Sequence, residues 1–408
     1  MISRRIEQIA AVKIAMFLDQ SFPPDSRVEN EAFSLIRAGH EVHLFSLERD
    51  SNRPKREIWN GIDVHRFEIS NWTYRLSALA YTVPLYHRSI RNSIITFIET
   101  VQPDVLHIHD MLIAKAVFKA NAGFKINTIL DLHENRPEIM QFYPHLKKFP
   151  GKFLIKPRVW KQWQKRLMQM ADHIILVTEE AKEVAVQEER IEASKITVVP
   201  NSIEAKIYYQ YPLKPEIQDR FKGYFNIVYV GDTGLRRGTD TAIQALALVA
   251  EKMPNAQLIL VGKSTEDKQL KELAEALGLT ARVIFEGWQD VSLFPSYIAA
   301  ANVCISPLHR NKHHDTTFAN KIFQYMAGAK PLLVSDCPPQ VRVVNQANCG
   351  LVFQAGNATD MAEKLLQLYA KKENAIHLGV NGKSALDQQF DWSITSKGLI
   401  ELYSNSFN

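Results

Sequence analysis

The stretch from Asn226 to Leu246 reads NIVYVGDTGLRRGTDTAIQAL. Ile227 to Val230 is an unbroken apolar run, too short for a helix and closed by Gly231. That is the pattern of a strand buried on both faces. Gly231, Gly234 and Gly238 allow a tight turn, and Thr239 or Asp240 can cap a helix carrying Ala242, Ile243 and Leu246 on one face. Strand, glycine turn and helix in direct succession form the repeating unit of a parallel α/β sheet. A helix start with free N–H groups beside Arg236 and Arg237 is also a ready anion site. On this loop alone, an ordinary turn with two solvated arginines fits equally well, and the glycine spacing is not the dinucleotide-binding fingerprint.

The same alternation runs through the chain. Upstream, the apolar runs are VKIAMFL, EVHLFSL, IDVHRF, DVLHIH, NTILDL, HIILVT and ITVVP, separated by helical patterns such as Val28–Ala38, Ile90–Thr100 and Leu112–Ala122. After a Tyr- and Pro-containing stretch near 205–222 it restarts with NIVYVG, AQLILVG, RVIFEG, NVCISP, KPLLVS and GLVFQ, with helices over Thr239–Glu251, Asp267–Leu277 and Thr359–Ala370. Two such series predict two doubly wound domains. The expected boundaries are 1–204 for the first, 205–388 for the second, and 389–408 as a terminal helix returning to the first. A length of 408 residues, 46% hydrophobic and 23% charged, suits two soluble cores.

A net charge of +5 is mild for this length and does not point to nucleic acid. Cys304, Cys337 and Cys349 have no metal spacing and read as small buried hydrophobes in a reducing compartment. Glu7 and Lys13 interrupt any signal-like run at the start, and nothing approaches the roughly 18 apolar residues of a spanning helix. The expectation is a cytoplasmic protein, at most peripheral on the inner face of the cell membrane.

Ligands of open α/β sheets bind beyond the carboxyl ends of the strands. In the second half those ends carry Gly231 with Arg236 and Arg237, Gly262 with Lys263, and Gly287 with Trp288, an aromatic that can stack on a base or simply lie half-buried. They also carry Asn320 and Lys321, which open the helix in DTTFANKIFQYMAGAKPLLVSD (315–336). There the plain reading is an Asn cap beside a solvated Lys. Basic strand-to-helix turns of one polarity make a diphosphate the economical ligand. No Asp-x-Asp occurs and no His/Cys/Asp/Glu set has metal-ligand spacing, so cations and helix starts would carry the leaving-group charge without a metal or other cofactor.

In the first half, His109 and Asp110 end DVLHIHD, while His133 and Glu134 end ILDLHE. A lone His at such an edge is also a common structural residue. Arg27 and Glu31 follow the loop stiffened by Pro23 and Pro24, either as solvated charges behind a Ser26 cap or as acceptor contacts.

VYVGDTGLRRGTD, VIFEGW, NVCISPL and FANKIFQYMAGAKPLLVSD resemble the donor half of family 4 glycosyltransferases, which have the GT-B fold of two Rossmann-like domains facing a central cleft. FPPDSRVENEAFSLIRAGHEVHLFS, PDVLHIHD, ILDLHE and VVPNSIE resemble the acceptor half in order and spacing. The resemblance implies transfer of a hexosyl or related group from a nucleoside-diphosphate sugar, with retention, to a glycolipid, polyprenyl-linked or saccharide acceptor in bacterial surface polysaccharide synthesis. By position it places Arg237 and Lys321 on the diphosphate, and His133 against the donor sugar as the catalytic candidate. Where the family carries two glutamates this chain has Thr316 and Gln324. Gln324 can still bond a ribose hydroxyl, and Asp315 adjoins Thr316. That departure keeps two rivals open: a binding or regulatory subunit without turnover, and a nucleotide-sugar epimerase.

From Ile139 to Ala171 the chain has no acidic residue but many Lys and Arg, among them Lys147, Lys148, Lys152, Lys156, Arg158, Lys161, Lys165 and Arg166. Val159, Trp163, Leu167 and Met170 share a helix face. A basic helix docked on its domain is one reading of 147–170; contact with an anionic membrane surface is the other.

Overall fold

In the computed structural model, which describes residues 11–49, 52–143, 146, 149 and 154–407, every apolar run named above is a strand. The chain divides into two units, 1–200 with 396–408, and 201–395.

Unit 1 contains β1 (Lys13–Leu18), β2 (Glu41–Glu48), β3 (Arg56–Trp59), β4 (Ile62–Glu68), β5 (Val105–His109), β6 (Asn127–Leu132), β7 (His173–Leu176) and β8 (Ile196–Val198). Their order is β3-β4-β2-β1-β5-β6-β7-β8. All neighbours are parallel except β3 and β4, an antiparallel hairpin turned by Asn60 and Gly61, both at positive φ. The sheet switches direction between β1 and β5, whose register runs Ile14 to Val105 through Phe17 to Ile108. Phe17, Phe45, Phe97 and Trp160 anchor the core around it.

Unit 2 contains β9 (Phe225–Val230), β10 (Ala256–Val261), β11 (Val283–Gly287), β12 (Val303–Ser306), β13 (Leu332–Ser335) and β14 (Gly350–Phe353). The order β11-β10-β9-β12-β13-β14 is the doubly wound order, with its switch between β9 and β12. All six residues of β9 are buried, Ile227 and Tyr229 in one core cluster and Val228 and Val230 in the other. That double covering explains why the strand has no polar alternation.

The second boundary falls later than expected. Residues 389–395 stay with unit 2, because Asp391 accepts from the Ala205 N–H at 2.7 Å and the Trp392 N–H donates to the Ile203 carbonyl at 2.9 Å. The helix Lys397–Ser406 belongs to unit 1, where buried Tyr403 bonds His107 Nδ1 at 2.8 Å. The three cysteines are free and buried.

Candidate functional site

At the switch point of unit 2, β9 and β12 pair only through Val303–Ile227 and Cys304–Val228, then part. The Tyr325 hydroxyl fills the gap: it accepts from the Val230 N–H at 3.1 Å and donates to the Ile305 carbonyl at 3.2 Å. This fixes the short helix Lys321–Ala327 and sets Lys321, one turn earlier, over the Tyr229 ring, with Nζ 3.4 Å from its centroid. Nζ is buried and makes no hydrogen bond. A Cβ placed on Gly231 would lie 3.2 Å from it. Lys321 is therefore not the solvated lysine of the plain reading. Asn320 occupies the N-cap position without a capping side-chain bond.

Asp232 is the counterion of this corner. It holds Arg236 at 2.9 Å and Arg237 at 3.5 Å, and accepts from the Gly234 N–H at 3.0 Å. Burial favours its acid form, but that N–H, the two arginines and Lys321 together hold its pKa below the usual range. Burial first, then Arg237, pushes the Lys321 ammonium well below the usual lysine range. The arrangement is a set of cations with one carboxylate between them, at the end where the sheet opens. Gly238, at φ +73°, closes the turn: a Cβ there would lie 1.7 Å from the Pro307 carbonyl oxygen.

The other donor-side candidates are spread out. Gln324 is half-buried on the Lys321 helix. Lys263 is exposed, and Trp288 is 72% exposed rather than half-buried; they follow neighbouring strand ends joined by the Gly262 N–H to Gly287 carbonyl bond of 2.8 Å. Asp315 does not stand in for a missing acid, because Arg310 holds both its oxygens at 2.9 and 3.0 Å. The Thr316 hydroxyl donates to the Lys312 carbonyl at 2.7 Å. Buried His313 and His314 line the same loop, burial holding the second down to about 3.

Unit 1 brings together Arg27, Glu31, His109, Asp110 and His133 around Asp131, which with His107 was not foreseen. The signal was an acid and a histidine inside apolar strands. Asp131 is fully buried; Arg27 reaches it at 3.3 Å, His133 Nε2 at 3.1 Å and His109 Nδ1 at 3.5 Å. Arg27 also binds Glu31 at 2.6 Å and the Val199 carbonyl at 2.8 Å. Arg27 and Glu31 are therefore not solvated charges; they are 3% and 0% exposed, and Asp25, not Ser26, caps their helix. His109 is likewise fully buried and stacks on His107 at 4.5 Å.

His133 is 14% exposed and Asp110 24%. Burial opposes charge on His133, yet Asp110 and Asp131 outweigh it and carry its pKa up to about 10. Burial lifts Asp110 to about 6 and lowers His109 to about 3. Asp110 sits at φ +61°, a strained backbone for a non-glycine residue at a strand end. Glu134 pairs with Arg136 at 3.0 Å. These carboxylate neighbours thus favour the imidazolium form of His133.

Two His/Asp/Glu clusters among the described residues have metal-ligand proximity that sequence spacing did not show: Glu31–His107–His109–Asp131, and His43–Asp63–His65. The first already contains the Arg27 guanidinium as its cation.

The basic helix Pro157–Met170 is docked: Leu167 is buried, Val159 and Trp163 pack on the core, and Lys115 lies 3.9 Å over the Trp163 ring. Its apolar face is thereby used inside the unit, leaving Met170 exposed. Lys147, Lys148 and Lys152 lie outside the described residues. No helix among the described residues is long and apolar enough to cross a membrane.

Two parallel-sheet Rossmann-like units in one chain are the GT-B architecture, and solved structures share it. Sucrose-phosphate synthase from Thermosynechococcus elongatus matches with a TM-score of 0.76 at 18% identity, over 96% of this chain and 98% of that one. HepE of Anabaena, solved with UDP, matches at 0.69 and 17% identity, over 96% and 99%.

The family comes from sequence. The model for Glycosyltransferase Family 4 matches residues 26–206, and that for Glycosyl transferases group 1 matches 212–385. The chain belongs to the family 4 type of glycosyltransferase. EpsD of Bacillus subtilis (strain 168) is 27% identical over 201 residues, 47% of this chain and 50% of that protein. The GDP-mannose-dependent alpha-(1-6)-phosphatidylinositol monomannoside mannosyltransferase of Mycobacterium tuberculosis is 23% identical over 168 residues, 41% and 44%. The matched region is about half the length of these curated relatives.

Proposed function

We propose that the protein transfers a sugar, with retention, from a nucleoside-diphosphate sugar to a glycolipid or polysaccharide acceptor, in bacterial surface polysaccharide synthesis at the inner face of the membrane. No metal ion is needed to hold the donor. The observation that carries the reading is the buried Lys321 Nζ, without a hydrogen-bond partner, beside Arg236 and Arg237 at the open ends of β9 and β12. Arginine and lysine are the side chains that recognise phosphate, and a diphosphate supplies the acceptors this corner needs. The UDP bound by HepE and the GDP-mannose named for the mycobacterial relative support a nucleotide sugar; that relative's lipid acceptor supports a glycolipid. His133, held by the carboxylates of Asp110 and Asp131, serves the sugar as a charged hydrogen-bond donor.

The test is thermal stabilisation by a panel of nucleoside diphosphates, followed by release of sugar from the matching donor. Stabilisation with turnover is expected; no stabilisation by any diphosphate overturns the reading. A second reading, a donor-binding subunit without turnover, draws on Thr316 and Asp315, whose side chains are committed within their own loop. It predicts stabilisation without donor hydrolysis. An interconverted nucleotide sugar as product would instead identify an epimerase.

A further inference from the structure

We infer that the first strands of unit 1 carry a binding site for a divalent transition-metal ion of the zinc type, formed by His43, Asp63 and His65. β2 and β4 run parallel with His43 opposite Asp63, so Glu41 and His43 on one strand face Asp63 and His65 on the other. Alternation places each i, i+2 pair on the same side of the sheet. Asp63 Oδ2 lies 3.1 Å from His43 Nδ1 and 3.3 Å from His65 Nε2. Metal–ligand bonds of roughly 2.0–2.2 Å put neighbouring ligand atoms of a tetrahedron about 3.3–3.6 Å apart. Two of the three edges already have nearly that length, and all three ligand atoms lie within 4.8 Å of one another.

The histidine atoms are also in the right state. Both side chains are only 9% exposed, and His43 Nδ1 and His65 Nε2 are buried against the same Asp63 oxygen. His43 Nε2 lies 2.7 Å from Glu41 Oε1, and a proton on that nitrogen would leave Nδ1 free to ligate. Two ring nitrogens and a carboxylate oxygen converging on one point form a ligand set for a cation. A carboxylate behind a ligating imidazole is the usual orienting partner of a metal-bound histidine, and Glu41 fills that place.

Arg56 supplies part of the countercharge now, through 2.9 and 2.6 Å bonds to the two Asp63 oxygens. Its side chain is 60% exposed, so it can leave Oδ2 while keeping Oδ1. The site lies at the amino ends of β2 and β4, away from the strand ends that carry Asp110 and His133. It is therefore a clamp between neighbouring strands, with no part in sugar transfer.

The test uses the full-length protein stripped of metal, equilibrated with Zn²⁺, desalted and assayed for bound zinc; Co²⁺ in place of Zn²⁺ reads the coordination by its d–d absorption. One equivalent with a tetrahedral Co²⁺ spectrum is expected. Asp63→Asn and His65→Gln should lose binding more than about a hundredfold, and exposed Glu41→Gln roughly ten- to a hundredfold while leaving the fold intact. Arg56→Ala should bind more tightly, because it removes a competing cation; a purely structural ion pair predicts no such gain. His109→Gln should bind as wild type does. No bound zinc in wild type, or unchanged affinity in Glu41→Gln and Asp63→Asn, overturns the site, as does loss confined to His109→Gln.

Discussion

Lys321 is unusual because nothing in unit 2 rewards its charge fully. A buried lysine is forced toward the neutral amine, and here Arg237 adds to that pressure. A group whose folded pKa is depressed costs stability as pH falls below its ordinary value, so the ligand-free protein is penalised at neutral pH. Lys321→Met should therefore raise the melting temperature of the free protein while weakening nucleoside-diphosphate binding by about 1.5–3 kcal/mol, the size of a charge-assisted bond. Calorimetry in buffers of different ionisation enthalpy should show proton uptake on binding in wild type and none in the variant. Arg237→Ala should weaken binding similarly, without the gain in stability. His133 titrates with the opposite sign. Its pKa is raised to about 10, so its contribution is fully present below about 6.5 and is lost as pH rises through 10. The stability difference between wild type and His133→Gln should be on the order of 2 kcal/mol or more near pH 7 and should vanish by pH 10.5. In turnover, His133→Ala should lose a factor on the order of 10²–10³ with diphosphate affinity almost unchanged. A turnover loss matched by lost diphosphate affinity would remove His133 from the sugar.

At the scale of elements, backbone geometry decides whether the cations meet. Gly238→Ala meets both a positive φ and a carbonyl 1.7 Å from the new methyl, whereas Gly278, at φ +69°, has open space around it. Gly278→Ala should cost only the left-handed strain, about 1–2 kcal/mol, and Gly238→Ala clearly more, with nucleotide binding lost. Tyr325→Phe leaves the Val230 N–H and the Ile305 carbonyl unpaired and should destabilise unit 2 by about 2–4 kcal/mol, read by chemical denaturation. These elements were legible in sequence because fully buried strands are apolar end to end and glycine marks the turns between them. β3 was missed although Asn60–Gly61 is a hairpin signal, because Arg56 to Trp59 is an exposed edge without an apolar run. The cationic corner of unit 2 was legible as residues in order, Gly231, Arg236, Arg237 and Lys321. The burial of Lys321 was not, since it depends on Tyr229 and Tyr325, which sequence leaves as generic core aromatics. Arg27 and Glu31 misled for the same reason: spacing shows that they share a helix face, not that Asp131 waits beneath it. The zinc-type cluster escaped entirely, because strand pairing across β2 and β4 assembles it.

For the molecule as a whole, the two units make separable demands on charge. The cationic corner of unit 2 is built of arginine, lysine and backbone, and the clamp proposed in unit 1 calls for a metal. Anything that binds only the native form of one unit stabilises it by RT ln(1 + [L]/Kd), about 2.7 kcal/mol at a hundredfold excess over Kd. Chelation should therefore separate them. In excess EDTA, affinity for UDP or GDP, whichever the stabilisation panel selects, should equal that measured with Mg²⁺ or Mn²⁺ present, because in the proposed reading side chains alone meet the phosphates. Zn²⁺ should still raise the stability of unit 1, followed by hydrogen exchange of amides in β2 and β4, without altering exchange in β9 and β12. The nucleotide should do the reverse. If chelation abolishes nucleotide affinity and Mn²⁺ restores it, the diphosphate is held by a metal and the side-chain account is wrong, whatever happens at His43. If Zn²⁺ leaves β2 and β4 unprotected while the nucleotide protects β9 in EDTA, the clamp is absent and the donor corner stands.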